Sequence, residues 1–236
     1  QLNKLLGRVE QSLIAEQRFT ADASHELRSP LSAIQLRLQV LKRKYQHQPE
    51  LAQDLDQIQR DVSRGTQVLE NLLLLARLDP TDAVSLNKST VSIADLVQEV
   101  LQSLTPFIQE KAIQIHLDVQ EIQVQGNPEL LFSCLRNLID NAVRYTAPQG
   151  RIWIEAKPYE LMQEICIADN GQAVTDEVLA RLGERFYRAL GSKTQGSGLG
   201  LSICKKIIEL HAGKIEFSRA EQGGLKVRIL LPKAQL

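Results

Sequence analysis

The 236-residue chain predicts two structural classes in succession: an α-helical hairpin that dimerises into a four-helix bundle, then an α+β domain. Three observations carry this. Apolar residues up to about residue 79 recur at alternating spacings of four and three, the period of a bundle seam. Beyond residue 90, short runs of two-residue alternation are interleaved with helical runs. Most of the glycines fall in that second part, where turns between strands and helices need them.

The first helix is expected to run from near the N-terminus to about Tyr45. Ser24, Leu27, Leu31, Ile34, Leu38, Leu41 and Tyr45 form its seam, and Pro30 breaks or bends it. After the polar stretch Gln46 to Glu50, Leu51, Leu55, Ile58, Val62, Gly65, Leu69, Leu72 and Ala76 set a second helix that ends near Asp79-Pro80. A lone hairpin leaves one apolar side wet, so two copies are expected to associate as a homodimer. Residues 80–90 read as a polar linker. Helices are then expected over Ile93 to Glu110, Pro128 to Tyr145 and Leu199 to His211. Strands are expected over Ile113 to Val119, Ile122 to Gln125, Ile152 to Ala156, Glu164 to Ala168, Lys214 to Ser218 and Leu225 to Leu231. The last two read as a hairpin, and the stretch before Leu199 as glycine-rich and irregular.

Composition narrows the partners. The chain carries 28 basic and 28 acidic residues, so no global field recruits nucleic acid or an anionic membrane. Cys134, Cys166 and Cys204 are odd in number, widely spaced and set in apolar sequence, as reduced core thiols of a cytosolic domain are. No apolar run reaches the roughly 18 residues of a membrane span. The only methionine is Met162, and Leu2, Leu6, Val9 and Leu13 are already in register. A parent continuing upstream into a membrane-anchored sensor is therefore expected.

Five motifs carry chemistry. In the first, Phe19 to Leu31, His25 lies on the flank of the seam and Glu26 is placed to accept a proton from one imidazole nitrogen, leaving the other as a nucleophile. Ser29 lies one turn on, on the same face. In NLIDNAVRYT, Asn137 and Asn141 are four apart on one helix face. Their carboxamides can offer oxygen to a magnesium ion and nitrogen to phosphate; Arg144 can pair with phosphate, and Tyr145 offers a face to a purine. Asp169-Asn170-Gly171 closes a strand, with a carboxylate able to accept from an adenine amino group and a glycine that permits close backbone approach. Glu184 to Arg188 frames aromatic residues with charge before a flexible run. Gly196-Ser197-Gly198-Leu199-Gly200-Leu201 opens a helix whose free N–H groups suit a polyphosphate, although it is no Walker loop.

In this order and at these spacings, the last four motifs resemble the N, G1, F and G2 boxes of the ATP-binding domain of sensor histidine kinases, and Phe19 to Leu31 resembles their phospho-acceptor box. The layout is similar to orthodox membrane sensors of the QseC and PmrB kind. The resemblance implies an ATP-binding sandwich of the histidine kinase/Hsp90-like type over residues 91–236. It implies a dimerisation and histidine phosphotransfer domain over 19–79, and the end of a HAMP signalling helix over 1–18. It further implies ATP and Mg2+ as cofactors, a cognate response regulator as partner, and the cytoplasmic portion of an inner-membrane sensor as location. Residue by residue, His25 would be phosphorylated, with Glu26 as its base or orienting carboxylate. Asn141, helped by Asn137, would hold magnesium. Arg144 and Tyr145 would contact phosphate and adenine, and Asp169 and Gly171 would frame the adenine. Gly196, Gly198, Leu199 and Gly200 would form the phosphate lid and hinge. Ser29, in place of the commoner threonine, keeps a hydroxyl and leaves phosphatase activity open. Ala173 replaces a glycine of the family pattern; left-handed backbone there would cost about 1 kcal/mol, so that side of the pocket is expected to differ in shape.

Two readings from other classes stand beside this one. A nucleotide-gated dimeric module of the same fold would change shape without labelling itself, and a coiled-coil scaffold would need no nucleotide motifs. A zinc-peptidase reading of HELRS fails because the fifth position is Ser29, not histidine.

Overall fold

The computed structural model of the chain describes residues 30–77, 87–187 and 198–234. It divides into two units, Gln1–Asp79 and Pro80–Leu236. His25, Glu26, Ser29 and Gly196 lie outside the described residues, as do the start of the first helix and residues 80–86 of the linker.

In the first unit, helix α1 covers residues 30–44 and a short turn leads into α2, Pro49–Arg77. Proline opens α2, where its missing N–H costs nothing, and Glu50 in the first turn favours the positive end of the helix dipole. Leu38 of α1 and Leu55 of α2 are buried. The ammonium of Lys42 on α1 reaches α2, donating to Gln59 Oε1 at 3.0 Å and pairing with Asp56 at 2.5 Å. Ile34, Leu41 and Ile58, all expected seam positions, remain 44%, 38% and 47% exposed, so one hairpin covers only part of its own seam.

The second unit begins with β1 (Ser89–Ser92) and α3 (Ile93–Glu110), followed by β2 (Gln114–Val119), β3 (Gln123–Gly126) and α4 (Pro128–Tyr145). Next come β4 (Arg151–Tyr159), β5 (Met162–Asp169), α5 (Asp176–Arg181), α6 (Gly200–Leu210), β6 (Lys214–Arg219) and β7 (Leu225–Pro232). Five strands form one sheet in the order β2-β4-β5-β7-β6, and β1 pairs with β3 in a separate antiparallel ribbon. Strands β2 and β4 are parallel, and the remaining neighbours are antiparallel.

Alternation along the strands sends Ile152, Ile154, Ala156, Ile165, Ile167, Val227, Ile229 and Leu231 to one buried face. Helices α3 and α6 each pack against α4, and all three meet the sheet to complete the core. The other face is polar: Arg228 pairs with Glu164 at 2.5 Å and with Glu216 at 3.2 Å. Helix α3 keeps its expected bounds. Ser92 accepts the Asp95 N–H at its start, and Ile93, Leu96, Val97, Val100 and Leu104 bury one stripe. All three cysteines are free and buried.

Three expectations are corrected. The end of the polar linker, Ser89 and Thr90, belongs to β1, because residues of no marked alternation gain their partner only from Gln125 and Gly126 far along the chain. Strand β4 runs on through Pro158 to Tyr159, past the end expected at Ala156. Its neighbour β2 stops opposite Ala156, so the proline withholds no hydrogen bond from that side. The irregular stretch contains α5, whose Thr175 cap accepts from Val178 N–H at 3.4 Å; six residues are too few to display a helical period.

Candidate functional site

The N-terminal end of α6, the C-terminal half of α4 and the end of β5 bound one region of the second unit. Asn127 caps α4 through Leu130 N–H at 3.0 Å, and proline holds the first helical position. Along this helix Asn137 and Asn141 follow one another by a turn, both half-buried. The Asn137 amide nitrogen donates to Ser133 O at 2.9 Å, which commits that end of the carboxamide to the helix and leaves its Oδ1 to face elsewhere. A Cβ on Gly200 would sit 3.3 Å from that Oδ1 and 3.8 Å from Asn141 Nδ2. The first residue of α6 therefore lies directly against both carboxamides, with no side chain between.

Helix α6 begins without a side-chain cap. The carbonyl of its buried N-cap Leu199 accepts from Ile203 N–H at 3.0 Å and Ser202 Oγ at 2.8 Å. A helix start of this kind combines orphan donors with the positive end of the dipole. Gly198 just before it has φ +71°, and a Cβ there would lie 2.7 Å from the Phe186 carbonyl carbon, so both its backbone angle and its surroundings require glycine. Phe186 itself is 62% exposed with φ 63°, while Tyr187 receives the Arg181 guanidinium over its ring at 4.1 Å.

At the far end of α4, Arg144 pairs with Asp140 at 2.9 Å and the Tyr145 ring is 40% exposed. The Tyr145 carbonyl sits where a Cβ on Gly171 would come within 2.5 Å of it. Gly171 thus makes room for the chain's own backbone, at ordinary backbone angles. Its N–H donates to Asp169 Oδ1 at 2.8 Å, and the Leu225 N–H also bonds that carboxylate. Asp169 is 4% exposed; burial raises its pKa, and these two backbone donors oppose the rise. Such a buried carboxylate can read an amino group.

The structure brings Asn137, Asn141, Arg144 and Tyr145 onto one helix, sets Gly200 against the two asparagines, and places Gly171 between Tyr145 and Asp169. Ala173 is not in the left-handed region, so the cost expected for alanine there does not arise. Three contributors carried little or no sequence signal. Gly224, at φ +74°, packs against Asp169 so closely that any Cβ would overlap the carboxylate, and only the Gly223-Gly224 turn pair hinted at it. His211 accepts the Asn127 N–H at Nε2, 3.0 Å away, and donates from Nδ1 to Ile207 O at 2.7 Å, joining α6 to the cap of α4. Lys111 reaches the end of α4 from the other side.

Comparison with known proteins agrees with this geometry. Residues 15–81 match the His Kinase A (phospho-acceptor) domain, and residues 126–235 match the Histidine kinase-, DNA gyrase B-, and HSP90-like ATPase domain. The chain is 39% identical over 97% of its length to Sensor protein QseC of Escherichia coli O157:H7 and 37% identical over its whole length to Sensor protein kinase PmrB of Pseudomonas aeruginosa. It covers 50% and 49% of those proteins, about half the length of the curated relatives it matches. Full-length ShkA, in a crystal structure with AMPPNP, shares the fold at TM-score 0.72 and 23% identity, over 94% of this chain and 47% of that one.

Proposed function

The chain belongs to the bacterial sensor histidine kinases, and from that premise we propose that it passes the γ-phosphate of ATP to His25 and then to an aspartate of a response regulator. The observation that carries the nucleotide half is the meeting of Gly200 with Asn137 and Asn141 at the start of α6. Asn141 and Asn137 would hold magnesium. That ion, when bound, neutralises charge on the phosphates. The free Oδ1 of Asn137 fits such a ligand, as hard cations prefer oxygen. Arg144 and the α6 N-terminus take the phosphates, Tyr145 covers the purine, and Asp169 accepts from its amino group.

In the transfer, an imidazole nitrogen of His25 attacks the γ-phosphorus while the bond to the ADP oxygen breaks. Glu26 holds or takes the proton on the other imidazole nitrogen, which keeps the attacking lone pair available. The phosphoramidate then gives its phosphoryl group to the regulator carboxylate and restores the imidazole. The exposed seam residues Ile34, Leu41 and Ile58 support a homodimeric bundle as the setting of these steps. On the same reading, the chain is the cytoplasmic portion of an inner-membrane sensor. Among the described residues, no helix is long and apolar enough to cross a membrane.

Incubation with labelled Mg-ATP tests the reading. One acid-labile, alkali-stable phosphate per chain is expected in the parent and none in His25→Gln. Equal labelling of the two removes His25 from the reaction. Nucleotide binding with no protein-bound phosphate in either favours a nucleotide-gated module instead.

A further inference from the structure

Lys111 immediately follows α3, yet its side chain serves α4. Its ammonium donates to the carbonyls of Val143 and Arg144, each at 2.8 Å, and of Thr146 at 3.0 Å. All three of its donors are therefore used. Its own carbonyl accepts the Gln149 N–H at 2.8 Å. Both ends of this one residue thus tie down the segment where α4 stops and the chain turns toward β4.

A helix end needs such help, because its last carbonyls have no intrahelical donor and carry the negative end of the dipole. Thr146 has already left the helix, with φ −75° and ψ 134°, so no helical bond sets the direction of its carbonyl. The Lys111 ammonium spans the departure, gripping two carbonyls inside the helix and one beyond it. Burial lowers its pKa, and Glu110 opposes that shift.

The segment so gripped carries Tyr145, whose carbonyl rests against Gly171, whose N–H in turn binds the Asp169 carboxylate. The purine side of the proposed pocket is built from those residues. Thr146 is 1% exposed and wedged against Gly150, so the segment is packed on its inner side and held by Lys111 at its carbonyls.

We propose that Lys111 is a positioning residue for nucleotide binding, setting the place of Tyr145 relative to Asp169 before nucleotide arrives. This rests on the nucleotide reading above. It divides the pocket: the end of α4 that carries Arg144 and Tyr145, and so nucleotide affinity, depends on Lys111, whereas transfer depends on His25, the asparagines and the start of α6. Loss of the ammonium therefore weakens binding of the base and leaves turnover of bound nucleotide near the parental rate.

Lys111→Met, Lys111→Gln and Lys111→Arg in the full chain test this, with ADP affinity by calorimetry and ATP dependence of labelling as readouts. Lys111→Met is expected to weaken ADP binding and raise the KM for ATP roughly tenfold, with kcat changed less than about twofold, since charged hydrogen bonds are worth about that factor. Lys111→Arg, which keeps the cation, is expected to recover part of the affinity. Parental ADP affinity in folded Lys111→Met, even with a lower urea midpoint, overturns the inference and leaves Lys111 a stabilising cap. If Lys111→Met does not fold, Lys111→Gln decides in the same way: raised KM supports the proposal and parental KM overturns it. A parent chain that binds no ADP removes the nucleotide reading itself, an outcome distinct from equal binding by parent and variant.

Discussion

Asp169 owes its setting to two glycines with no chemistry of their own. Gly171 lets Tyr145 O and the carboxylate approach from two sides, and Gly224 leaves the space that the carboxylate fills. Gly224→Ala both occupies that space and strains a left-handed backbone at φ +74°. It is expected to reduce ADP affinity at least tenfold and stability by more than about 1 kcal/mol, read by calorimetry and urea unfolding. ADP binding at parental strength would disconnect Asp169 from the nucleotide. Ser29 is the other residue-scale test. If His25 is phosphorylated as proposed, a hydroxyl one turn on in sequence would hold a water in line with the phosphoaspartate of a docked regulator, whereas forward labelling would need only the imidazole, Glu26 and the nucleotide domain. Ser29→Ala should therefore label normally and slow the loss of phosphate from the regulator severalfold, a rough expectation. Regulator dephosphorylation at the parental rate would reduce Ser29 to a surface group.

At the scale of elements, α4 is fastened at both ends by residues from elsewhere: His211 of the α6 terminus at its cap and Lys111 at its last turn. His211 is 2% exposed and neutral, with its Nδ1 proton on Ile207 O, and burial holds its pKa below the ordinary histidine value. Since the unfolded chain takes up a second ring proton near pH 6.5 while the folded chain, whose Nε2 accepts the Asn127 N–H, resists it, the contribution of His211 to stability is full above about pH 6.5 and lost as pH falls below it. Urea unfolding of the 90–236 piece between pH 7.5 and pH 5.5, at about half-unit steps, is expected to show this decline in the parent and a flatter profile in His211→Gln. Identical pH profiles would mean that the imidazole does not couple folding to protons in this range.

For the whole molecule, the two units follow different physics. The α1–α2 hairpin leaves Ile34, Leu41 and Ile58 substantially exposed, whereas the second unit closes its own core around Ile139, Ile154, Ile207 and Ile229. In the proposed homodimer, a second copy would remove that apolar surface from water. Residues 1–79 are accordingly expected to sediment as a dimer that dissociates on dilution, and residues 90–236 as a monomer that still binds ADP. A monomeric 1–79 piece at high concentration would contradict the bundle.

Local pattern determined much of this chain. The bounds of α3 and α4 were legible because an amphipathic period and, in α4, a proline at the first turn act within a few residues. The ordered motifs placed Asn137, Asn141 and Asp169 on a helix and a strand end for the same reason. What the tertiary structure alone decided depends on pairs far apart in sequence: β2 alongside β4, Gly224 beneath Asp169, Lys111 on the carbonyls of α4 and His211 on Asn127. Periodicity reports which face of an element is buried, not what it is buried against. A lysine after a helix and a histidine at a helix end look like solvated surface until the neighbours that accept or supply their protons are in place.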